Sequence, residues 1–285
     1  MEPVFKDLTP SRANLYLYIL EASSIAHSVQ RGFGGWDILV PSGNRQAALS
    51  AVEEYLEEGD HWVPPAPAQP RRSFCGLWVA AFLLAWHLSV ETLGGQRHLF
   101  VEAGASASHI MKGELWRTVT ALTLHGDALH LAGNMAGIAV FGTAVCQVAG
   151  TGAGWCMVLA AGIAGNLANA AFYRDAHLSV GASTAIFGAV GILGARRLVA
   201  PAHEAGGRSK RWVTLGGGLA LLALLGNSPR ADLTAHLFGW LAGLALGAGY
   251  GLVGTPHFSG AAQLLFSLAA ACALILSWLR VLVGN

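Results

Sequence analysis

Charge is scarce in this sequence. Asp, Glu, Lys and Arg make up only 12% of the 285 residues, about half the share of an average globular chain. Nearly half of them fall in the first 72 positions, which leaves the rest too apolar for a water-soluble domain. The net charge of +1 lacks the basic excess that a nucleic-acid-binding face requires, so no nucleic-acid partner is expected. Cysteine is sparse as well. Cys75, Cys146, Cys156 and Cys272 stand singly in apolar stretches without CxxC spacing, which argues against a disulfide framework and against a zinc site. A leader-like apolar core is missing from the N-terminus, where Glu2, Lys6, Asp7 and Arg12 interrupt it, and residue 1 is expected to stay in the mature protein. His203-Glu204 opens like a metalloprotease helix, but position 207 is Gly207, so the His-Glu-x-x-His motif is absent. No metal and no cofactor is implied.

Glycine and apolar residues are what the chain has in quantity. With 37 glycines and a hydrophobic fraction of 54%, it has the composition of packed transmembrane helices, where small residues let backbones approach closely. Apolar segments lie near 73–91, 128–149, 153–173, 182–199, 212–226, 233–253 and 259–282. A helix needs about 20 residues to cross a hydrocarbon core of roughly 30 Å, so seven spans are expected, with 212–226 the shortest. Arg71 and Arg72 before the first span, and Arg196, Arg197, Arg208, Lys210 and Arg211 after the fourth, fall on one side of such an arrangement. The positive-inside rule makes that side cytoplasmic and places the protein in the cell (inner) membrane with a cytoplasmic N-terminus.

Residues 1–62 read as a small soluble α+β module. Trp36–Pro41 has the pattern of a strand, and 44–58 that of an amphipathic helix with Ala48, Val52 and Leu56 at spacing four. The acidic run Glu53, Glu54, Glu57 and Glu58 then forms the solvated face. Residues 63–72, with Pro64, Pro65, Pro67 and Pro70, are a stiff proline-rich linker.

Three short motifs stand out against the apolar background: His125-Gly126-Asp127-Ala128-Leu129-His130-Leu131-Ala132-Gly133-Asn134, then Gly181-Ala182-Ser183, then Ala235-His236-Leu237-Phe238-Gly239. Each opens a membrane-length helix, and with an N-terminus inside, the helices that begin at these motifs all run from outside to inside. His130, Ser183 and His236 would therefore share one depth. A Gly-x-Ser alone would be read as a helix cap. A histidine at membrane depth is expensive to leave unpaired, and its presence shifts the reading toward function. Gly239, Gly243 and Gly247 follow His236 at i+3, i+7 and i+11, within about 60° of its direction on the helix, so they form a groove below it. Gly191 and Gly194 lie near the Ser183 face, and the two helices could close until Ser183 and His236 form a nucleophile–base dyad. His130 and Asn134, at i and i+4, share a face and can both donate to an oxyanion. His125, five residues ahead, belongs to the loop before that helix. Asp232 is the polar residue directly before an apolar run, which marks it as the N-cap rather than a third triad member.

From about residue 73 to 255 the chain resembles the rhomboid family of intramembrane serine proteases. The resemblance rests on Gly113-Glu114-Leu115-Trp116-Arg117 before the second span, the His-x4-His-x3-Asn run ending at Asn134, Gly-x-Ser at Ser183, and Ala-His-x2-Gly-x3-Gly from Ala235 to Gly243. It implies an all-α polytopic membrane protein with a rhomboid-like six-helix core (73–255). To that core the chain adds a seventh C-terminal helix (256–285) and the N-terminal module. The resemblance makes Ser183 the nucleophile, His236 the general base, and His130, Asn134 and the Ser183 backbone N–H the oxyanion hole. Trp116 and Arg117 would lie in a membrane-embedded supporting loop, while Gly181, Gly239 and Gly243 would shape the site. Phe187 stands where the family often has tyrosine, which keeps a ring under the histidine and drops a hydroxyl. The expected partners are the lipid bilayer and transmembrane protein substrates. An inactive rhomboid-like protein that binds membrane clients, and a transporter using its histidines, are the rival readings; the combined presence of Ser183, His236 and an oxyanion pair disfavours both.

Overall fold

A computed structural model of the chain describes residues 1–32, 34–61, 74–92, 96–199, 216–221, 232–254 and 258–283. It divides into two compact units, Met1–Gln69 and Pro70–Asn285. The proline-rich segment and His203-Glu204 lie outside the described residues, as does most of the predicted span 212–226, of which 216–221 are helical.

The N-terminal unit is β1 (Glu2–Leu8), α1 (Pro10–Ala22), β2 (Ser28–Arg31), β3 (Trp36–Val40) and α2 (Arg45–His61), with an antiparallel sheet in the order β1-β3-β2. Thr9 caps α1 by accepting the Arg12 N–H, and Pro10 supplies the pre-set φ of a first helical residue. Ile38 and Val40 point to the same face of β3 and are fully buried with Leu20 and Ala48. Leu56 departs from the expectation, being 45% exposed. Strand β1 carries no clean alternation, and its pairing with β3 is broken by two register shifts, which explains why its sequence does not announce it.

The second unit is helical, with α3 (Cys75–Thr92), α4 (Gln96–Ala103), β4 (Ala105–Ser106), α5 (Ala107–Met111), α6 (Arg117–Thr120), α7 (Ala128–Ala149), α8 (Thr151–Tyr173), β5 (Leu178–Ser179), α9 (Ser183–Val199), α10 (Leu233–Leu252) and α11 (Gly260–Val283). Five of these, α3, α7, α8, α10 and α11, are long and apolar enough to cross a membrane, and α9 at 17 residues is only slightly shorter. The protein is therefore an integral multi-pass membrane protein. Large apolar side chains such as Trp78, Val140 and Leu265 remain exposed on the outer faces, the arrangement that lipid favours and water does not. Between α7 and α8 the chain reverses at Gly150, whose φ of +86° an L side chain rarely adopts.

The long connection from α3 to α7 is ordered by side chains that satisfy its backbone carbonyls. Arg117 is buried and donates to Glu114 Oε2 (2.6 Å), Val101 O (2.7 Å) and Gly104 O (3.3 Å). Thr120 Oγ1 donates to Ala103 O at 2.6 Å, and Asn166 of α8 donates to Thr118 O at 2.9 Å. Strand β4 pairs with β5 and draws the connection alongside the segment that precedes α9.

Helix α11 packs on α8 and α6 and is fastened at both ends. Near its start, Gln263 accepts the Ala153 N–H (2.9 Å) and donates to Ala149 O (2.8 Å), which satisfies one unpaired group from the end of α7 and one from the start of α8. Near its finish, the Arg280 guanidinium lies 5.0 Å from the Trp116 ring centroid and Trp278 stacks obliquely on Trp86 at 4.6 Å.

Candidate active site

The three motifs converge. Ser183 is the first residue of α9 and His236 lies in the first turn of α10; the Ser183 hydroxyl and His236 Nε2 are 2.8 Å apart, a hydrogen bond. Across the same turn stand His130 and Asn134 from the first turns of α7. A Cβ added to Gly181 would come within 2.6 Å of His130 Nε2 and 3.6 Å of Asn134 Nδ2, so both side chains face the residue two before the serine. Gly181 is held at φ +129°, which only glycine adopts at low cost, and its missing side chain leaves room for the histidine. Asn134 is buried and donates one amide hydrogen to His130 O at 3.0 Å, leaving its second amide hydrogen for another acceptor.

Backbone contact sets the approach of α9 and α10, the most extensively packed pair of helices among the described residues. A Cβ at Gly239 would strike Thr184 O, one at Gly243 would strike Gly188 O, and one at Gly247 would strike Ile192 O. Gly191 makes the reciprocal approach to Trp240 O, and Gly165 of α8 closes the crossing, 2.7 Å from its Cβ position to Gly239 Cα. The stripe read from spacing is thus a seam one backbone wide, running down from the Ser183–His236 hydrogen bond.

The imidazole of His236 is buried and lies against the Phe187 ring, centroids 4.6 Å apart and planes inclined by 25°. Its Nδ1 has no hydrogen-bond partner among the described residues, so no carboxylate completes a triad. Asp232 is the N-cap of α10, accepting the Ala235 N–H at 3.0 Å and the Thr234 hydroxyl at 2.8 Å. It also accepts Asn169 Nδ2 (2.8 Å) and bonds to His177 Nε2 (2.6 Å), which ties the start of α10 to α8 and to the residue before β5. Burial pushes its carboxyl pKa upward, but the bonds from Ala235, His177, Thr234 and Ser179 outweigh this and hold it below the ordinary value.

Asp127, His130, Asn134, Ser183, Phe187 and His236 share a cavity of ≈ 430 Å³ that places hydroxyl, imidazole and amide donors around one space. Such a set can attack a carbonyl carbon and receive the negative charge that develops on its oxygen. Trp116 and Arg117 stand apart from it, in the connection between α3 and α7.

His125 has a role that its sequence spacing does not reveal. It is buried, its ring meets that of His130 edge-on at 5.3 Å, and its Nε2 accepts the Ala182 N–H at a long 3.5 Å. Burial, with smaller contributions from His130 and His87, pushes its pKa down to about 3, so it is neutral and free to accept. Its five-residue offset from His130 rightly put it off the helix. Nothing in the local sequence links it to the serine turn.

A family model described as the Rhomboid domain matches residues 112–253, which include every residue of this site. RHOMBOID-like protein 7 of Arabidopsis thaliana is 30% identical over 148 residues, 48% of this chain and 44% of that protein. Rhomboid protease GluP of Bacillus subtilis (strain 168) is 39% identical over 124 residues, 42% of this chain and 24% of that protein. The chain thus spans less than half the length of either. The rhomboid-family protein YdcA of Bacillus subtilis (strain 168) is 30% identical over 142 residues, 48% of this chain and 68% of that protein. With the polytopic helical fold and the converging motifs, these matches establish that the chain belongs to the rhomboid family of intramembrane proteases.

Proposed function

We propose that this protein is a serine endopeptidase that hydrolyses peptide bonds in or beside transmembrane segments of other membrane proteins. The observation that carries the reading is the 2.8 Å hydrogen bond between Ser183 and His236 at the start of two helices, with His130 and Asn134 facing the same turn. His236 Nε2 takes the hydroxyl proton as Ser183 Oγ attacks the scissile carbonyl carbon. The carbonyl oxygen becomes an oxyanion received by His130, Asn134 and the Ser183 N–H, the last an unpaired donor of the helix start. The protonated His236 then delivers its proton to the leaving amine. Water, deprotonated by the same imidazole, hydrolyses the acyl-enzyme.

Phe187 supplies the face on which the imidazole rests, and the Asp232 cap fixes the height of α10, so orientation that a triad carboxylate provides elsewhere comes here from stacking and capping. The positive-inside pattern of Arg71, Arg72, Arg196 and Arg197 supports a cytoplasmic N-terminal module and a site near the opposite face, with the cell membrane as the proposed location.

The test is covalent labelling by a fluorophosphonate probe, comparing the wild type with Ser183→Ala. Labelling of wild type alone is expected. Equal labelling of both, or of neither, would remove the activated serine and favour the client-binding alternative.

A further inference from the structure

The serine turn is held from behind by the end of the connection between α3 and α7. Gly181 N–H donates to Ala121 O at 2.9 Å, and Ala182 N–H donates to His125 Nε2. Thr123 lies between these two acceptors. Its hydroxyl donates to Thr120 O at 2.8 Å, closing the tight turn Ala121–Thr123, and accepts the Trp278 indole N–H at 3.1 Å in a buried bond. Trp278 and Val281 of α11 also pack with Ala103 and Leu124 in one apolar cluster. A continuous path of hydrogen bonds and two-residue steps therefore runs from α11 to the residue before Ser183. Helix α11 lies wholly outside the residues 112–253 that match the family, so nothing in the motif set includes it.

On the protease reading above, we propose that Trp278 is a positioning residue for the nucleophile. Through Thr123 it fixes segment 121–125, which presents Ala121 O and His125 Nε2 to the Gly181–Ala182 N–H pair and so sets where Ser183 Oγ stands relative to His236. The left-handed φ at Gly181 makes this turn a single-residue pivot. Releasing either N–H lets the serine swing about that pivot, and a displacement well under 1 Å in a reacting pair is enough to slow attack measurably. The C-terminal helix is accordingly a working part of the active structure rather than an appended anchor.

The experiment uses the full chain in detergent and three substitutions. Trp278→Phe keeps a ring against Trp86 and Leu124 and removes the N–H; Thr123→Val keeps the shape and removes the acceptor; Thr123→Ser retains the hydroxyl. Three quantities are read: hydrogen exchange at Gly181 and Ala182, the kinact and KI of fluorophosphonate labelling, and kcat and KM on a transmembrane peptide. Trp278→Phe and Thr123→Val are each expected to speed exchange at both amides and to lower kinact and kcat by about 10-fold at unchanged KM. Thr123→Ser should match wild type, and the double variant Trp278→Phe/Thr123→Val should lose no more than either single one. Unchanged exchange at Gly181 and Ala182 in both single variants, or losses that multiply in the double variant, would overturn the proposal. Should Trp278→Phe fail to fold, the Thr123→Val and Thr123→Ser pair decides by the same readouts. Loosened exchange in a protein whose wild type does not label would leave the coupling standing and remove the protease reading instead.

Discussion

Helices α9 and α10 meet through backbone along a stripe of glycines, whereas α11, apart from one close backbone approach of Gly152 to the Gln263 carbonyl, meets the rest of the membrane unit through long polar and aromatic side chains. At the first seam Gly239, Gly243 and Gly247 lie against carbonyls of Thr184, Gly188 and Ile192 with no side chain between. At the second, Gln263, Trp278 and Arg280 each reach across to a named partner. The difference follows from what each seam must do in lipid. Without a hydrophobic drive between apolar helices, association relies on close packing or on interhelical hydrogen bonds. Close packing fixes distance along a whole helix and suits the Ser183–His236 hydrogen bond of 2.8 Å, which the proposed chemistry needs held in place. Discrete polar contacts fix a helix at a few points and suit a support.

The comparison fails at its root if the reacting pair is not a reacting pair. Ser183→Ala and His236→Ala are each expected to lower kcat by at least about 10⁴-fold, since loss of either member of such a unit removes nucleophilic attack. Expression and membrane insertion should be preserved, and EDTA should leave the wild-type rate unchanged. Cleavage by Ser183→Ala near the wild-type rate would assign the peptide-bond chemistry to another group.

The glycine seam is tested by a substitution that spares every proposed catalytic group. A Cβ at Gly243 meets Gly188 backbone atoms, with the carbonyl carbon 2.7 Å and Cα 2.8 Å away, and backbone cannot rotate aside. Gly243→Leu must therefore part α9 from α10, and a shift of about 1 Å between reacting atoms lowers rate on the order of 10²-fold. Ala245, exposed on the same helix, gives the control: Ala245→Leu should keep nearly full activity. Equal rates in the two variants would mean that the seam does not set the Ser183–His236 distance.

Asn134→Ala is expected to cost somewhat less, up to about 10²-fold in kcat with KM little changed, because an oxyanion donor acts chiefly in the transition state and other donors remain. A change confined to KM would place Asn134 among the groups that hold substrate. At the second seam, Gln263→Leu removes both bonds to the α7–α8 turn and leaves a buried N–H and C=O unpaired. A stability loss of about 1–3 kcal/mol is expected, with kcat within several-fold of wild type. A rate loss as large as that of Gly243→Leu would erase the distinction between the two seams.

Much of the first seam was legible in sequence, and little of the second. The i+3, i+7, i+11 glycines carry helical periodicity, and the position of Asp232 before an apolar run marks it as an N-cap. Trp278 and Thr123 are 155 residues apart, and no period or spacing joins them. The same holds for His125, whose partner is an N–H of the opposite motif. In the connection between α3 and α7, α5 and α6 span only five and four residues, too short for an apolar period. Its order comes from Arg117, Thr120 and Asn166 bonding to carbonyls, which leaves no trace in hydropathy. Periodicity was also silent about neighbours: it sets Ala242 off the glycine stripe, yet that residue packs against the cluster around Val158 and Ala185 rather than facing open lipid.

The smallest effect expected is one of pH, and it tests the joint between the two seams. His125 is held neutral in the folded protein by burial, with a pKa lowered from 6.5 to about 3, while in the unfolded chain it takes a proton near the ordinary value. Between these values the unfolded state binds more protons, so the stability linked to His125 is complete above pH 6.5 and declines as the medium is acidified toward pH 3. One proton corresponds to about 1.4 kcal/mol per pH unit. Protonation would also cost Ala182 its acceptor, because an imidazolium offers only donors. Acid acts on more than one group, so the informative quantity is a difference between two proteins that differ only at position 125. Unfolding free energies of wild type and His125→Phe, measured from pH 7.5 down to pH 5, should converge on acidification by about 1.4 kcal/mol per unit below pH 6.5. The phenylalanine variant starts less stable because it lacks the acceptor. Parallel curves would show that His125 binds its proton equally in both states, and that the serine turn is not held by a neutral imidazole.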